Sequence, residues 1–262
     1  MNKSERELAF LRDLNINEIY TRPIFERVID TIGKLKPESI LFIKAGTGEA
    51  CFAIEEKLTG HASITALCEN EELAAIAIDK GESLGSTVQF QSNAPEIDHD
   101  LIVLDETLSG PSSLLADVLN ASNYARSGTR FLLICPISGS FGEIFSVIWE
   151  AALGLSDQRL MQLAEELTVS YPTLEKIEQI ANESGLTEID QKQSELFFEN
   201  DSAEEFVESP LISDFLFPLW LGQVDKSLYL RIRKILEEES FNLSFRFKLR
   251  ISMLTGRFRE IN

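Results

Sequence analysis

Gly46 and Gly48 follow a short apolar run and precede a helical pattern. A strand, a Gly-x-Gly turn and a helix in that order can make a phosphate or nucleotide loop. Glycine lets the backbone approach a ligand, and the helix N-terminus favours negative charge. The same residues also suit a plain strand-to-helix turn. A dinucleotide loop asks for a third glycine where Cys51 stands, which argues against a nicotinamide or flavin dehydrogenase. Asp105 and Glu106 end another apolar run. They could contact a ligand as carboxylates or serve as ordinary loop and cap acids. Cys135 and Pro136 end a third run, and Cys135 reads as a small buried hydrophobe rather than a nucleophile. Neither Cys51 nor Cys68 belongs to a CxxC pair, and His61 and His99 sit beside loop-like sequence. No metal is expected, since zinc usually needs three or four clustered ligands.

The elements that must hold these residues alternate. Residues 5–35 carry Leu8, Leu11, Ile24, Val28 and Ile32 at helical spacing, with Pro23 opening a second helix. Apolar runs at 39–43, 64–68, 88–90, 101–104 and 130–135 read as buried strands. Helical patterns fill 49–58, 71–84 and 112–124, the last with Ser112 or Ser113 as N-cap. Strand–helix alternation predicts an α/β domain with a doubly wound, mostly parallel sheet, whose ligands sit at the strands' carboxyl ends. Residues 141–184 are largely helical, with Pro172 restarting a helix; 186–198 is extended; 202–240 is helical with breaks at Pro210 and Pro218. From Phe245 to Met253 apolar and polar residues alternate strictly, which predicts a strand. Its Arg246, Lys248 and Arg250 form one polar row. Such a row could meet an acidic partner, and more often it is solvated or pairs with the protein's own carboxylates. Phe141, Phe145, Trp149 and Tyr171 lie in the helical stretch, as core or as an acceptor-facing set.

Hydrophobic residues make up 44% of 262 residues and charged residues 26%, which fits one large globular domain. The net charge of −19 would repel a phosphate backbone, so nucleic acid is not an expected partner. No apolar stretch is long enough to span a membrane. The start lacks a signal-peptide run, and three scattered cysteines suit a reducing cytoplasm.

Taken in order, these segments resemble class I S-adenosylmethionine-dependent methyltransferases. ILFIKAGTGEACFAI (40–54) resembles their motif I, and ITALCENEELAAIA (64–77) the second strand and its helix. VQFQSNAPEI (88–97), HDLIVLDETL (99–108) and ARSGTRFLLICP (125–136) are similar to the third, fourth and fifth strand regions. Residues 172–198 and 243–258 resemble the late helix with the sixth strand and the antiparallel last strand. The resemblance implies a Rossmann-like, seven-stranded sheet with Leu243–Leu254 antiparallel to the rest. It divides the chain into N-terminal helices (1–36), a sheet core (37–140), a helical cap over the strands' carboxyl ends (141–185) and a C-terminal part of the same domain (186–262).

The family's S-adenosylmethionine contacts fall on Lys44, Ala45, Gly46 and Gly48 in the loop, on Cys68 or its neighbour Glu69 for the ribose, and on Asn93 and Ala94 for the adenine. Leu73 or Ala94 would meet the ring's apolar side. The motif I acid that holds the methionine amine falls on Phe42, the first motif glycine on Lys44, and the ribose acid on Cys68. A thiol cannot replace two charge-assisted hydrogen bonds of about 1.5–3 kcal/mol each. An ammonium about 4 Å from a sulfonium costs roughly 4 kcal/mol at an effective dielectric of 20, unless Lys44 swings to the ligand's carboxylate. Two functions follow. One is methyl transfer to a small molecule or protein, with Asp105 and Glu106 facing the acceptor. The other is a catalytically inactive binding or scaffolding module, with a protein as one candidate partner.

Overall fold

The structure, a computed structural model, describes residues 3–93, 99–222, 226–238 and 246–259. The apolar runs are its parallel strands: β1 (Ser39–Ile43), β2 (Ser63–Leu67), β3 (Gln89–Gln91), β4 (Leu101–Asp105) and β5 (Arg130–Pro136). All but β3 read as apolar runs because helices cover both faces; β3 is short and partly exposed. Ile40, Phe42, Val103 and Ile134 pack into one core layer, and Leu41, Ile102, Leu104 and Phe131 into the other. β6 (Leu186–Glu199) and β7 (Arg246–Phe258) complete a seven-stranded sheet in the order β3-β2-β1-β4-β5-β7-β6. β7 runs antiparallel to both neighbours. Strand order reverses between β1 and β4, so the loops after these two strands flank the crevice where such sheets bind ligands.

The alternation in the last segment is the β7 pleat: Phe247, Leu249, Ile251 and Met253 are buried. On the other side Arg246 lies 3.8 Å from Glu199, and Lys248 and Arg250 lie 3.9 and 3.8 Å from Glu195. The basic row therefore pairs with the protein's own carboxylates across β6–β7. Residues 243–245, also expected in this strand, lie outside the described residues.

The N-terminal helices form one continuous path. α1 (Glu5–Leu11) starts with a capping box between Ser4 and Glu7, runs into a π-helical segment (Arg12–Thr21), and continues as α2 (Arg22–Leu35) with Pro23 in its first turn. π geometry is rare, and it is enriched at functional sites. The other sheet-flanking helices are α3 (Glu49–Leu58), α4 (Glu71–Leu84) and α5 (Leu114–Ser122). α5 begins later than its pattern suggested, and Ser113 makes no side-chain cap to it.

After β5 come α6 (Gly142–Leu155), α7 (Gln158–Ser170) and α8 (Leu174–Glu183), the last capped by Thr173 directly after Pro172. α9 (Ala203–Glu208), a second π-helical segment (Leu211–Leu216), α10 (Phe217–Leu221) and α11 (Lys226–Glu238) follow β6. Pro218 starts α10 rather than breaking a helix. The aromatic residues of this region are core. Phe141 and Phe145 pack on Trp220 at 5.0 and 4.8 Å, and the Trp220 indole donates to Tyr171 at 2.9 Å. Trp149 is half-buried and donates to Glu165.

Candidate functional site

The loop leaving β1 carries three left-handed residues, Lys44 (φ 66°), Gly46 (φ 58°) and Gly48 (φ 87°). Ala45 N–H donates to the Leu67 carbonyl at 2.9 Å, and Gly48 N–H to the Ala45 carbonyl at 3.0 Å. Both glycines are also held by what surrounds them. A Cβ at Gly48 would lie 2.7–2.9 Å from the rings of Phe90 and Phe52. A Cβ at Gly46 would lie 2.5–2.6 Å from the guanidinium of Arg12. The space over the loop is therefore filled by the protein's own N-terminal segment.

Arg12 is anchored there. It donates from Nη1 to Glu69 Oε1 at 2.6 Å, and the other oxygen of Glu69 accepts from Gly46 N–H at 3.0 Å. The Arg12 side chain is only 11% exposed, and its Nε is buried without a hydrogen-bond partner. Burial opposes its charge, but Glu69 outweighs that and holds its pKa above the ordinary value; Asp105 adds to the effect. Loss of bulk water works against the Glu69 carboxylate too, and the Arg12 charge and hydrogen bonds keep its pKa below the usual range.

Three more contacts tie the segment down. Asn17 donates to Thr47 Oγ1 at 2.7 Å, the Tyr20 hydroxyl to the Thr107 carbonyl at 2.8 Å, and Lys80 to Asp13 at 2.6 Å. Arg12, Asn17 and Tyr20 escaped sequence reasoning. Each is a single polar position on a helix, and no spacing pattern marks it.

Lys44, like the two glycines, holds a left-handed backbone, φ 66°. Its ammonium reaches Ser109 Oγ at 2.8 Å, Asp117 Oδ2 at 2.9 Å and Glu106 Oε1 at 2.8 Å. It thus ties the β1 loop to the β4 loop and to α5. Burial works against this charge, and the two carboxylates more than restore it, so its pKa is raised.

The remaining expected site residues are spread around this centre. Cys68 is buried beside Arg12 and Glu69; burial first, then the Glu69 charge, push its thiol up to about 12. Asn93 is exposed, and its backbone carbonyl accepts from Gln91. Ala94 lies outside the described residues. Leu73 is buried and bonded at the start of α4 through Asn70. Asp105 is buried and accepts from Thr107 N–H and Oγ1 at 2.9 and 2.7 Å; burial raises its pKa. Glu106 is 2% exposed and, with Cys135, Pro136, Tyr171 and Pro172, surrounds a void of ≈ 10 Å³, too small for an acceptor. Phe42 is fully buried, 5.6 Å from Phe25.

Burial pushes Glu106 up to about 7 from 4.5, against the pull of Lys44. The folded state then keeps a proton that the unfolded chain has already released. Stability is therefore expected to fall as pH rises from 4.5 to about 7, by about 1.4 kcal/mol per unit at most. Glu106→Gln removes that slope. Urea unfolding of both proteins at pH 5, 6 and 7 measures it. A wild-type-minus-variant difference that stays constant would mean that Glu106 ionises as an ordinary carboxyl.

No family model matches the sequence, and no curated protein does. Solved structures do match. YcgJ from Bacillus subtilis aligns over 91% of this chain and 99% of its own, with 14% identity and a TM-score of 0.60. A putative sarcosine dimethylglycine methyltransferase from Galdieria sulphuraria aligns over 100% of this chain and 92% of its own, with 12% identity and a TM-score of 0.54. Identities this low speak for architecture alone, and with the strand order they agree on one: the chain has the Rossmann-like fold of the class I S-adenosylmethionine-dependent methyltransferases.

Proposed function

We propose that this chain is a methyltransferase-fold binding module whose donor groove is closed by its own N-terminal segment. One observation carries the reading: the Arg12 guanidinium lies against Gly46 and is held by Glu69, the one carboxylate at the end of β2 able to serve a ribose. Both oxygens of Glu69 are engaged, by Arg12 and by Gly46 N–H. The neighbouring Cys68 is a buried, protonated thiol. The position of the methionine-amine acid holds a core phenylalanine. These residues do not fit S-adenosylmethionine, so no methyl-transfer step is assigned to them. The role left is binding a small molecule or a protein; the −19 charge disfavours nucleic acid.

A second reading, methyl transfer to a small molecule or protein, draws on the loop itself. Its left-handed backbone at 44, 46 and 48 is kept, and release of Arg12 would free Glu69. Thermal shift and calorimetry with S-adenosylmethionine and S-adenosylhomocysteine separate the two. A ligand at 100 times its Kd stabilises by about 2.7 kcal/mol, which is several degrees. No shift is expected for the wild-type protein at millimolar ligand. A shift of that size would abandon the binding-module reading. A shift confined to Arg12→Ala would locate the block at Arg12.

A further inference from the structure

The π-helical segment has a second set of contacts. It sends Arg12 and Asn17 to the glycine loop, while Leu14, Glu18 and Ile19 line a cleft of ≈ 710 Å³ against the ends of β6 and β7 and against α9. The floor is aromatic and rigid. Phe198 stacks on Phe247 at 5.0 Å and meets Tyr20 at 5.1 Å. Beside it, Leu14 and Ile19 are 70% and 46% exposed; Phe197 alternates with Phe198 along β6 and turns to the opposite face, with Arg246. Apolar surface gathered around one cleft and left open to water marks a place where something binds. The volume falls within the roughly 300–1,000 Å³ of small-molecule sites.

The charge around this floor has one sign. Glu18, Glu199, Glu205 and Glu208 line the cleft, and among the described residues no lysine, arginine or histidine does. On the opposite face of the β6 edge the protein already holds a cation in a comparable setting: the Arg246 guanidinium lies 5.1 Å over the Phe197 ring and 3.8 Å from Glu199. A cation over an aromatic face beside a carboxylate is attracted by both. The ion pairs at the rim, Arg246–Glu199 and Arg233–Glu208 (3.5 Å), are long and solvated, so they are readily exchanged for a ligand's charge.

We propose that this cleft binds a small amphiphilic amine, its apolar body on Leu14 and Ile19 over the Phe198 floor and its ammonium among Glu18, Glu205 and Glu208. The proposal deepens the binding-module reading by naming what is bound, and it rests on that reading only for the purpose of the binding.

Calorimetry at low salt with tryptamine and with indole-3-acetate tests it, since the two share a ring and differ in charge. Tryptamine is expected to bind at least tenfold tighter. Ile19→Ala, at an exposed position, is expected to weaken it at least fivefold, and Glu18→Gln with Glu208→Gln by a similar factor. Equal binding of indole-3-acetate, tryptamine binding indifferent to Ile19→Ala, or no tryptamine binding at millimolar concentration would each overturn the site. The S-adenosylhomocysteine titration of the same samples reads the donor groove separately. Tryptamine binding alongside tight donor binding would sink only the closed-groove reading. Loss of both ligands in the wild-type protein would sink only the amine site.

Discussion

Phe42→Asp is expected to destabilise the protein by more than 4 kcal/mol, enough to leave it largely unfolded at 37 °C, although it restores the acid that the methyltransferase family carries at this position. Phe42 has no exposed surface and lies in the middle strand pair, opposite Ala66 of β2 and Val103 of β4. Truncating a buried phenylalanine costs about 3–5 kcal/mol. An unpaired carboxyl put in its place adds a desolvation cost of a few kcal/mol more. Phe42→Leu keeps most of the volume and is expected to lose only about 1–2 kcal/mol. Urea unfolding of the two variants reads the difference. If Phe42→Asp folds with near wild-type stability, the position opens to the groove, and the packing described for β1 is wrong. The family alignment suggests rebuilding a donor site with Phe42→Asp, Lys44→Gly and Cys68→Asp together. That combination is expected to fail at folding before donor binding can be measured.

The same residue shows what the sequence carries and what it withholds. Buried parallel strands advertise themselves as apolar runs, so β1 to β5 and their order along the chain could be read directly. The β7 pleat was equally plain, because one face is buried and the other carries Arg246, Lys248 and Arg250. The ordinary reading of that row, pairing with the protein's own acids, is the one the structure has. Positions in the site were legible too: Asp105 and Glu106 do end β4, and Gly46 and Gly48 do turn β1 into α3. Their state was not. Whether a carboxylate at a strand end faces a ligand or a lysine depends on side chains far away in sequence. Lys44 meets Ser109 and Asp117, 65 and 73 positions on. The filling of the groove by Arg12 was hidden for the same reason, and the π-helical path that aims it has no pattern of its own. A mean periodicity of 3.6 residues is what amphipathic reading detects, and this segment departs from it.

Lys44→Met is expected to cost about 3–5 kcal/mol at pH 7.5, the range for removing one partner of a buried ion pair. The ammonium serves two carboxylates, and Glu106, with its side chain 3% exposed, cannot turn to water when it goes. The loss should depend on pH in a defined direction. Without Lys44, the Glu106 pKa rises further above about 7, so the folded variant keeps at pH 7.5 a proton that the unfolded chain has released, and that cost fades as the pH falls to 5. The variant is therefore expected to recover much of its stability between pH 7.5 and 5, and adding Glu106→Gln should restore a similar amount without acid. Lys44→Gly separates the pair from the backbone. Lys44 holds φ 66°, a conformation that costs a side-chain-bearing residue about 1–2 kcal/mol and glycine almost nothing. Lys44→Gly loses the same ion pair as Lys44→Met but sheds this strain, so it should be the more stable of the two by about that amount. Urea unfolding of the three variants at pH 5 and 7.5 measures each term. If Lys44→Met unfolds at the wild-type midpoint at both pH values, Lys44 does not hold Glu106 and Asp117, and its ammonium is free to enter the groove.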